Sequence, residues 1–432
     1  MRTARVESQG LGRPDEPSLV PPGYKRTEVG LLPDDWGLTE LGQLYQFTNG
    51  VNADKEAYGS GVPFVNVLEV VKHSHLGHSE IPGRVELPSA VIDSFTVRRG
   101  DIVLNRTSET QEEVGLASIY DDDHVVVFGG FVIRGRPVGD AMYPPYVGYG
   151  LRASAVRTQI TARGQGAIRA NIGQASLREV LVPVPPKPEQ RTIATALLDV
   201  DRLIAALDRL IAKKRAVRGA AMQRLLTGRT RLPGFSGEWE TKQIADIARP
   251  CSEKNSSSGD LPVLTCSKHV GFVDSLGYFK NQVFSRDLSG YKVIRRGQIG
   301  YPANHIEEGS IGLQDLYDVA LVSPIYVVCA PNDGVNSYFL HRLLKLDSYR
   351  QVFAAATTSS VDRRGSLRWP AFSDIAVTLP PVEEQEAIAA VLSDMDAEIE
   401  NLERRHEKTK QIKQGMMQQL LTGRARLVKP KR

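Results

Sequence analysis

Few residues of this chain stand in spacings that could do chemistry, and each set falls short of what the chemistry needs. TyrProProTyr (143–146) has the shape of a loop in which an Asp or Asn ahead of Pro-Pro-Tyr accepts a hydrogen bond from a target amino group before methyl transfer. Tyr143 stands where that acceptor is required and cannot supply it, and no glycine-rich loop for S-adenosylmethionine precedes it. The segment reads as a turn leading into a helix. His73, His75 and His78 have a spacing that can bind a metal, but a short histidine run in a polar loop reads as solvated side chains, and no metal site is assigned. Cys251, Cys266 and Cys329 are an odd number without a CxxC pair. They read as reduced structural thiols, with neither a disulfide framework nor a zinc ribbon available. There is no GxxxxGK[ST] phosphate loop, no GxSxG elbow and no nuclease-like set of carboxylates. Nothing in the sequence gives a positive reason to read the chain as an enzyme.

The elements that would position any site are more informative. At 432 residues the chain exceeds one ordinary domain, so two or more are expected. With 41% hydrophobic and 24% charged residues the composition is that of a globular protein. No apolar run approaches the roughly 20 residues that cross a bilayer, and residues 1–22 lack the apolar core of a signal peptide, so the chain reads as cytoplasmic, without membrane contact. The formal charge of +4, from 54 basic and 50 acidic residues, permits a polyanionic partner without requiring one. Residues 1–22, rich in Pro and Gly, read as a flexible N-terminal arm.

One unit is written twice. Residues 181–232 align without a gap on 376–427 at a constant offset of 195, with 23 of 52 positions identical. Each copy spells a long helix with legible ends. It is entered through Pro185, Pro186 or Pro380, Pro381, with acids Glu189 or Glu383, Glu384, Glu386 in the first turn, where the positive helix end favours them. Each closes at Gly228 or Gly423, suited to a left-handed residue, with Arg229 or Arg424 following at the negative end. Helices are expected near 188–227 and 383–422. Ile193, Leu197, Val200, Ile204, Leu207 and Ile211 are spaced 4,3,4,3,4, a heptad seam that the second copy matches with Ile388, Leu392, Met395, Ile399 and Leu402. The seam then lapses and returns shifted at Val217, Ala221 and Leu225, or Ile412, Met416 and Leu420, the mark of a stutter. Two equivalent helices pack most naturally on each other as an antiparallel, pseudo-two-fold pair. About 40 residues at about 1.5 Å each make a rod of roughly 60 Å.

The segments between, 23–180 and 236–375, are richer in Gly, Pro, Val and aromatics and show short alternating runs such as ValProPheValAsnVal (62–67), which indicates mixed, strand-rich domains. They share a weak skeleton. Trp36 followed by Leu41 and Leu44 mirrors Trp239 followed by Ile244 and Ile247, and ValArgArgGlyAspIleValLeu (97–104) parallels IleArgArgGlyGlnIleGlyTyr (294–301). The expected fold class is α+β, with two tandem mixed α/β domains (23–180, 236–375) alternating with two helical regions (181–235, 376–432) that form the antiparallel coiled coil. A shared scaffold with divergent loops suggests two different targets.

The order of these parts resembles the specificity subunits of type I restriction-modification systems, over roughly residues 24–428. The resemblance is carried by ProProLysProGluGln (185–190) and ProProValGluGluGln (380–385), by the LeuLeuThrGly endings at 225–228 and 420–423, by the ArgArgGlyAspIle and ArgArgGlyGlnIle segments, and by GlyTyrPheLysAsnGlnValPheSerArgAspLeuSerGlyTyr (277–291). It implies a non-catalytic subunit with two target recognition domains. Each would read one half of a bipartite, asymmetric site in double-stranded DNA, while the helices set the spacer and dock two copies of an adenine methyltransferase. Motor-endonuclease subunits would join for cleavage. No cofactor would be bound by this chain: the methyltransferase would use S-adenosylmethionine, the cleavage subunit ATP and magnesium. Two readers on one face of a duplex sit whole helical turns apart, about 34 Å between half-site centres. A stand-alone bipartite DNA-binding or scaffold protein without a methyltransferase is the alternative, separated by whether a methyltransferase co-purifies; a nuclease with an unfamiliar site is a further rival that cleavage by the isolated chain would reveal.

Base edges are read by Arg, Lys, Asn and Gln on loops, and phosphates are held by Arg, Lys, Ser and Thr. Two loops per copy offer such residues. After the ArgArgGly strand stand Asn105, Arg106, Thr107 and Ser108 in the first copy and Tyr301, Asn304 and His305 in the second. Before the helices stand Arg163, Gln165, Arg169 and Asn171, then Thr357, Ser359, Arg363, Arg364 and Arg368. Arg98, Arg99, Arg295 and Arg296 occupy equivalent places in both copies, which favours scaffold or phosphate roles over base reading.

Overall fold

The computed structural model describes residues 20–166, 169–256, 261–358 and 365–428. The chain forms two compact units, Met1–Ala206 with His406–Arg432, and Leu207–Arg405.

In the first unit the run IleValLeuAsn has no polar face, so it takes a central place in a sheet. Strand Ile102–Asn105 is buried throughout. It pairs antiparallel with Val132–Pro137 on one side and Ala117–Tyr120 on the other. Tyr45–Asn49 continues the sheet antiparallel, and the short strand His75–Leu76 closes its far side in parallel. The turn into the central strand needs Gly100, whose φ of +90° lies in backbone space that side chains disfavour. A separate antiparallel pair joins Gly37–Glu40 to Leu181–Val184, the strand that leads into the first long helix. Trp36, Leu41 and Tyr146 share one core with Ile193 and Leu197 from the start of that helix, and with Leu420 and Leu421 from the end of the second.

The second unit repeats this plan. Strand Ile299–Pro302 lies between Tyr326–Pro331 and Gly312–Leu313, with Ala248–Cys251 outermost, all antiparallel. Gly297 turns into the central strand at φ +84°. Glu240–Gln243 pairs with Ala376–Leu379 ahead of the second long helix. Ile244, Ile247, Leu225, Leu226, Ile388 and Leu392 share its core. The repeated tryptophan and leucine or isoleucine skeleton therefore marks equivalent short helices, Leu41–Leu44 and Ile244–Ile247.

Both long helices run without interruption, Lys187–Leu225 and Val382–Leu420, one or two residues from the expected bounds. Gly228 and Gly423 follow at φ +69° and +68°, as their place beyond the helix ends requires. Within each unit the helices run antiparallel. Asp201 meets Lys413 at 2.6 Å in the first unit and Arg218 meets Asp396 at 2.6 Å in the second, one contact made twice under the offset of 195. Each aspartate also accepts a tyrosine hydroxyl at 2.6 Å, from Tyr149 and Tyr338 respectively.

The seam residues Ile193, Leu197, Leu207, Ile211, Ile388, Leu392 and Ile399 are buried, and Val200, Ile204, Met395 and Leu402 are partly so. The expected stutter is absent. Val217 and Ile412 are 48% and 49% exposed, and burial instead continues the 4,3 spacing through Lys214, Arg218, Ala221 and Leu225, and through His406, Thr409, Lys413, Met416 and Leu420. The hydrophobic pattern lapses while the register does not, because Arg218 and Lys413 bury their stems along the seam and find aspartates for their charges.

The helix ends are locked by buried carboxylates. Glu189 is fully enclosed and accepts from the Trp36 indole at 2.9 Å and from two nitrogens of Arg426 at 2.5 and 2.7 Å. Arg426 also reaches Asp35 at 2.8 and 3.0 Å. Glu384, equally enclosed, takes Arg231 through two bonds of 2.5 Å. The neighbouring Gln190 and Gln385 bond backbone groups of Ala141, Tyr143 and Pro185, or Gly334, Asn336 and Pro380. The first-turn acids therefore do more than favour a helix dipole, and the arginine that matters is two places beyond Arg229 and Arg424, both of which are exposed. Arg426→Ala strands a buried carboxylate and is expected to lower unfolding free energy by about 3–5 kcal/mol in urea titrations, whereas Arg424→Ala should cost under about 0.5 kcal/mol. Equal losses from the two variants would show that the ion pair does not hold the end.

Candidate functional site

The loop after the central strand and the loop before the long helix come together in both units. In the first, Thr107–Ser108 pairs antiparallel with Ala170–Asn171, and the Ile172 amide donates to the Arg106 carbonyl at 3.0 Å. The Thr107 hydroxyl donates to the Asn171 side-chain oxygen at 2.6 Å. Gln165 and Asn171 exchange backbone hydrogen bonds, and Arg169 lies 3.9 Å from Glu109. Arg106, Gln165, Arg169 and Asn171 are exposed on this joined edge, with the Arg106 guanidinium 3.4 Å from the Gly130 carbonyl. Arg163 is partly buried and donates back to the Gln159 carbonyl of its own helix at 3.2 Å.

Asn105 and Ser108 belong to the frame. Asn105 is wholly buried, its amide donating to the Glu113 carbonyl and its oxygen accepting from the Thr107 amide. Ser108 is buried and bonds the Glu113 carboxylate at 3.1 Å. Their polarity in an apolar strand suggested readers; it serves the turn that shapes the loop.

In the second unit the Leu367 amide donates to the Ala303 carbonyl at 2.7 Å, the counterpart of the Ile172 bond. Asn304 is partly buried, and its side-chain oxygen finds no hydrogen-bond partner among the described residues. His305 is exposed, 3.4 Å from Glu308. Arg368 is exposed at the start of the short helix Trp369–Ser373. Tyr301 is fully buried among aromatic rings, its hydroxyl without a partner among the described residues and its pKa pushed well up by burial. Thr357 is buried and bonds the Phe353 carbonyl one helical turn back. Neither of these two faces solvent. Ser359, Arg363 and Arg364 lie outside the described residues.

The repeated arginines serve the frame. Arg99 pairs with Asp121 and Asp123, Arg296 with Asp318, and Arg295 with Glu253. The Arg98 amide donates to Asp101, a buried acid that also pairs with Arg136. TyrProProTyr is a helix start, Tyr143 preceding the helix Pro144–Gly150. Two of the three early histidines are packed and not simply solvated: His75 bonds the Pro145 carbonyl against the Tyr149 ring, burial lowering its pKa, and His78 stacks on His124. Among the described residues His305, Glu307 and Glu308 form a group whose ligand atoms lie within 4.8 Å. Burial pushes the Cys266 and Cys329 thiols up to about 12, which suits structural thiols. Among the described residues no helix is long and apolar enough to cross a membrane.

Sequence reasoning missed the joining of the two loops and the pairing of Glu189 and Glu384 with Arg426 and Arg231. A signal for the second was present: Glu189, Arg231 and their partners in the other copy are identical across the alignment. The first leaves no signal, because it is made by backbone groups.

Comparison with known proteins completes the assignment. Residues 236–413 match the family model of the type I restriction modification DNA specificity domain. A putative type I restriction enzyme MjaX specificity subunit from Methanocaldococcus jannaschii is 22% identical, aligned over 94% of this chain and 97% of its own length. The MjaVIII specificity subunit of the same organism is also 22% identical, over 92% and 94%. The crystal structure of a type I restriction-modification S subunit from M. genitalium shares the fold at a TM-score of 0.54, with 16% identity and coverage of 89% and 96%. A chain from a structure of type I restriction-modification complex assembly and conformational transition gives 0.53, with 17% identity and coverage of 91% and 99%. With its doubled frame and its paired loops, the chain is similar along its length to specificity subunits of type I restriction-modification systems, and its residues 236–413 match the DNA specificity domain of that family.

Proposed function

We propose that the chain selects DNA for a type I restriction-modification complex, each unit reading one half of a bipartite, asymmetric site. The observation that carries this is the joined loop pair, built twice on one hydrogen-bonded frame and furnished differently: Thr107 with Asn171 in one unit, Asn304 with Arg368 in the other. A frame that repeats while its exposed polar residues change suits two unlike half-sites. Recognition domains 23–180 and 236–375 would do the reading. The helical regions 181–235 and 376–432, each with 39 uninterrupted helical residues, would set the spacer and dock two methyltransferase copies, with motor-endonuclease subunits joining for cleavage. The chain itself would perform no chemical step.

Mapping methylated adenines in the host genome with and without this chain tests the reading, since the methylated motif should disappear with it. Co-purification should recover a methyltransferase at about two copies per chain. Replacing residues 23–180 with the matching domain of a relative should change one half of the motif and leave the other; an unchanged motif would sink the model. Arg106→Ala should weaken recognition at one half-site by about 1–3 kcal/mol while leaving unfolding free energy within about 0.5 kcal/mol, and Asn105→Ala should do the reverse, destabilising the fold by about 1–3 kcal/mol. If Arg106→Ala relaxed both halves equally, the loop assignment would be wrong.

A further inference from the structure

Beside the joined loops of the second unit stands a short hairpin, Leu264–Ser267 paired antiparallel with Gly271–Asp274. Its base is built into the unit. Leu264 and Phe272 are buried in one core with Ile294 and Tyr326, and the Cys266 amide donates to the Tyr326 hydroxyl at 2.9 Å. Ser267 and Gly271 face each other across the ladder, so Lys268, His269 and Val270 form the tip. All three are exposed, Val270 by 71%, and the tip carries no acid.

Lys345 fixes the place of this tip. Its Nζ donates to the Lys268 carbonyl at 2.9 Å and to the Gly309 carbonyl at 3.0 Å. Gly309 closes the short turn Ile306–Glu308 that follows Asn304 and His305, so one ammonium holds the hairpin tip against the loop after the central strand. Burial lowers the Lys345 pKa, and backbone carbonyls take its hydrogen bonds.

The first unit sets a cation at the equivalent place and gives it a different segment to hold. Gln190 and Gln385 bond the Tyr143 and Asn336 amides, and the same distance beyond those residues stand Arg152 and Lys345, each two places before a helix, Ser154–Arg163 or Asp347–Thr358. Arg152 donates to the Ala117 carbonyl at 2.7 Å, in the strand beside the central one, and to the Val71 and His73 carbonyls at 3.3 and 2.8 Å. There the pinned segment is the end of the helix Val67–Lys72; in the second unit it is a hairpin turn. The cation repeats and what it holds does not, as expected of a part that must differ between two targets.

We propose that the hairpin tip, residues 268–270, enters the major groove and reads base edges of the second half-site, with Lys345 as its positioning residue, a proposal that rests on the recognition role above. Two strands about 4.8 Å apart fit a groove about 12 Å wide. In that groove a lysine donates to guanine O6 or N7, and an exposed aliphatic side chain meets a thymine methyl. A tip whose backbone is already held by Lys345 loses little freedom on binding.

The test uses the full chain assembled with its methyltransferase, acting on a duplex library randomised through both half-sites, with the methylated motif read by sequencing. Lys268→Ala and Val270→Ala should each lower discrimination at one or two positions of the second half-site by roughly 5- to 100-fold, and leave the first half-site and the unfolding midpoint unchanged. Lys345→Met should relax those same positions, and Lys345→Arg, the kind of cation that the first unit uses, should restore them. An unchanged motif in both tip variants overturns the proposal, as does a change in the first half-site. Equal weakening on every sequence, with the slope of log K against log salt reduced by about one in Lys268→Ala, overturns it in favour of a phosphate contact. Relaxation by Lys345→Met at other positions overturns the positioning role; if that variant does not fold, the tip variants decide, since their side chains are exposed. A wild-type complex without a bipartite motif would sink the recognition reading and the hairpin with it, whereas a bipartite motif that both tip variants retain removes the hairpin alone.

Discussion

The structure depends on two carboxylates that have no access to water. Glu189 and Glu384 are fully enclosed, and a buried charge is tolerable only when it is paired and hydrogen-bonded. Arg426 and Arg231 supply the pairing, each from the segment that follows a long helix, to the first turn of the other long helix. The contact explains both ends of the repeated motif at once. The prolines start the helix so that Glu enters its first turn facing inward. The Thr-Gly ending turns the chain through a left-handed residue so that the second arginine beyond it reaches back.

The sequence separations differ. Glu189 and Arg426 are 237 residues apart, and Arg231 and Glu384 are 153 apart. The second unit is a contiguous stretch, Leu207–Arg405, whereas the first needs His406–Arg432 to complete its core. Loop closure over a longer chain costs more entropy and slows formation of the contacts that depend on it. The tight seal at Gly423, which accepts the Tyr24 hydroxyl and leaves no room for a Cβ beside Pro33, belongs to this long-range closure.

What could be read beforehand follows from how local each cause is. Helix ends, the left-handed glycines and the buried seam positions rest on spacing within one segment, and these were legible to within two residues. Charged residues in the seam suggest a stutter that the helices do not have; Arg218 and Lys413 hold their places through aspartates on the other helix, which no local pattern discloses. Asn105, Ser108 and Tyr301 follow the ArgArgGly strand and Thr357 precedes the long helix, and polar side chains on such segments suggest a surface. Their burial comes from the sheet and helix packed over them, a tertiary fact. Arg106, Gln165, Arg169 and Arg368 are exposed, and on such loops residue type alone indicates a surface position.

The two locks are equal in place and unequal in chemistry, which shows what the frame must keep. In the first unit the Trp36 indole donates to Glu189 and Asp35 shares Arg426. In the second the Trp239 indole has no partner among the described residues, and Arg231 lies over its ring at 5.7 Å while bonding the Gly237 carbonyl. The ring, the carboxylate and the arginine persist; the accessory partners do not. The same rule governs the loops, where a backbone bond from Ile172 or Leu367 is kept and the side chains around it change. Side chains held by a preformed frame lose less freedom when they meet a ligand. A reader can therefore be exchanged without rebuilding its support, because the support is made of backbone and buried charge, and neither depends on which residue faces outward.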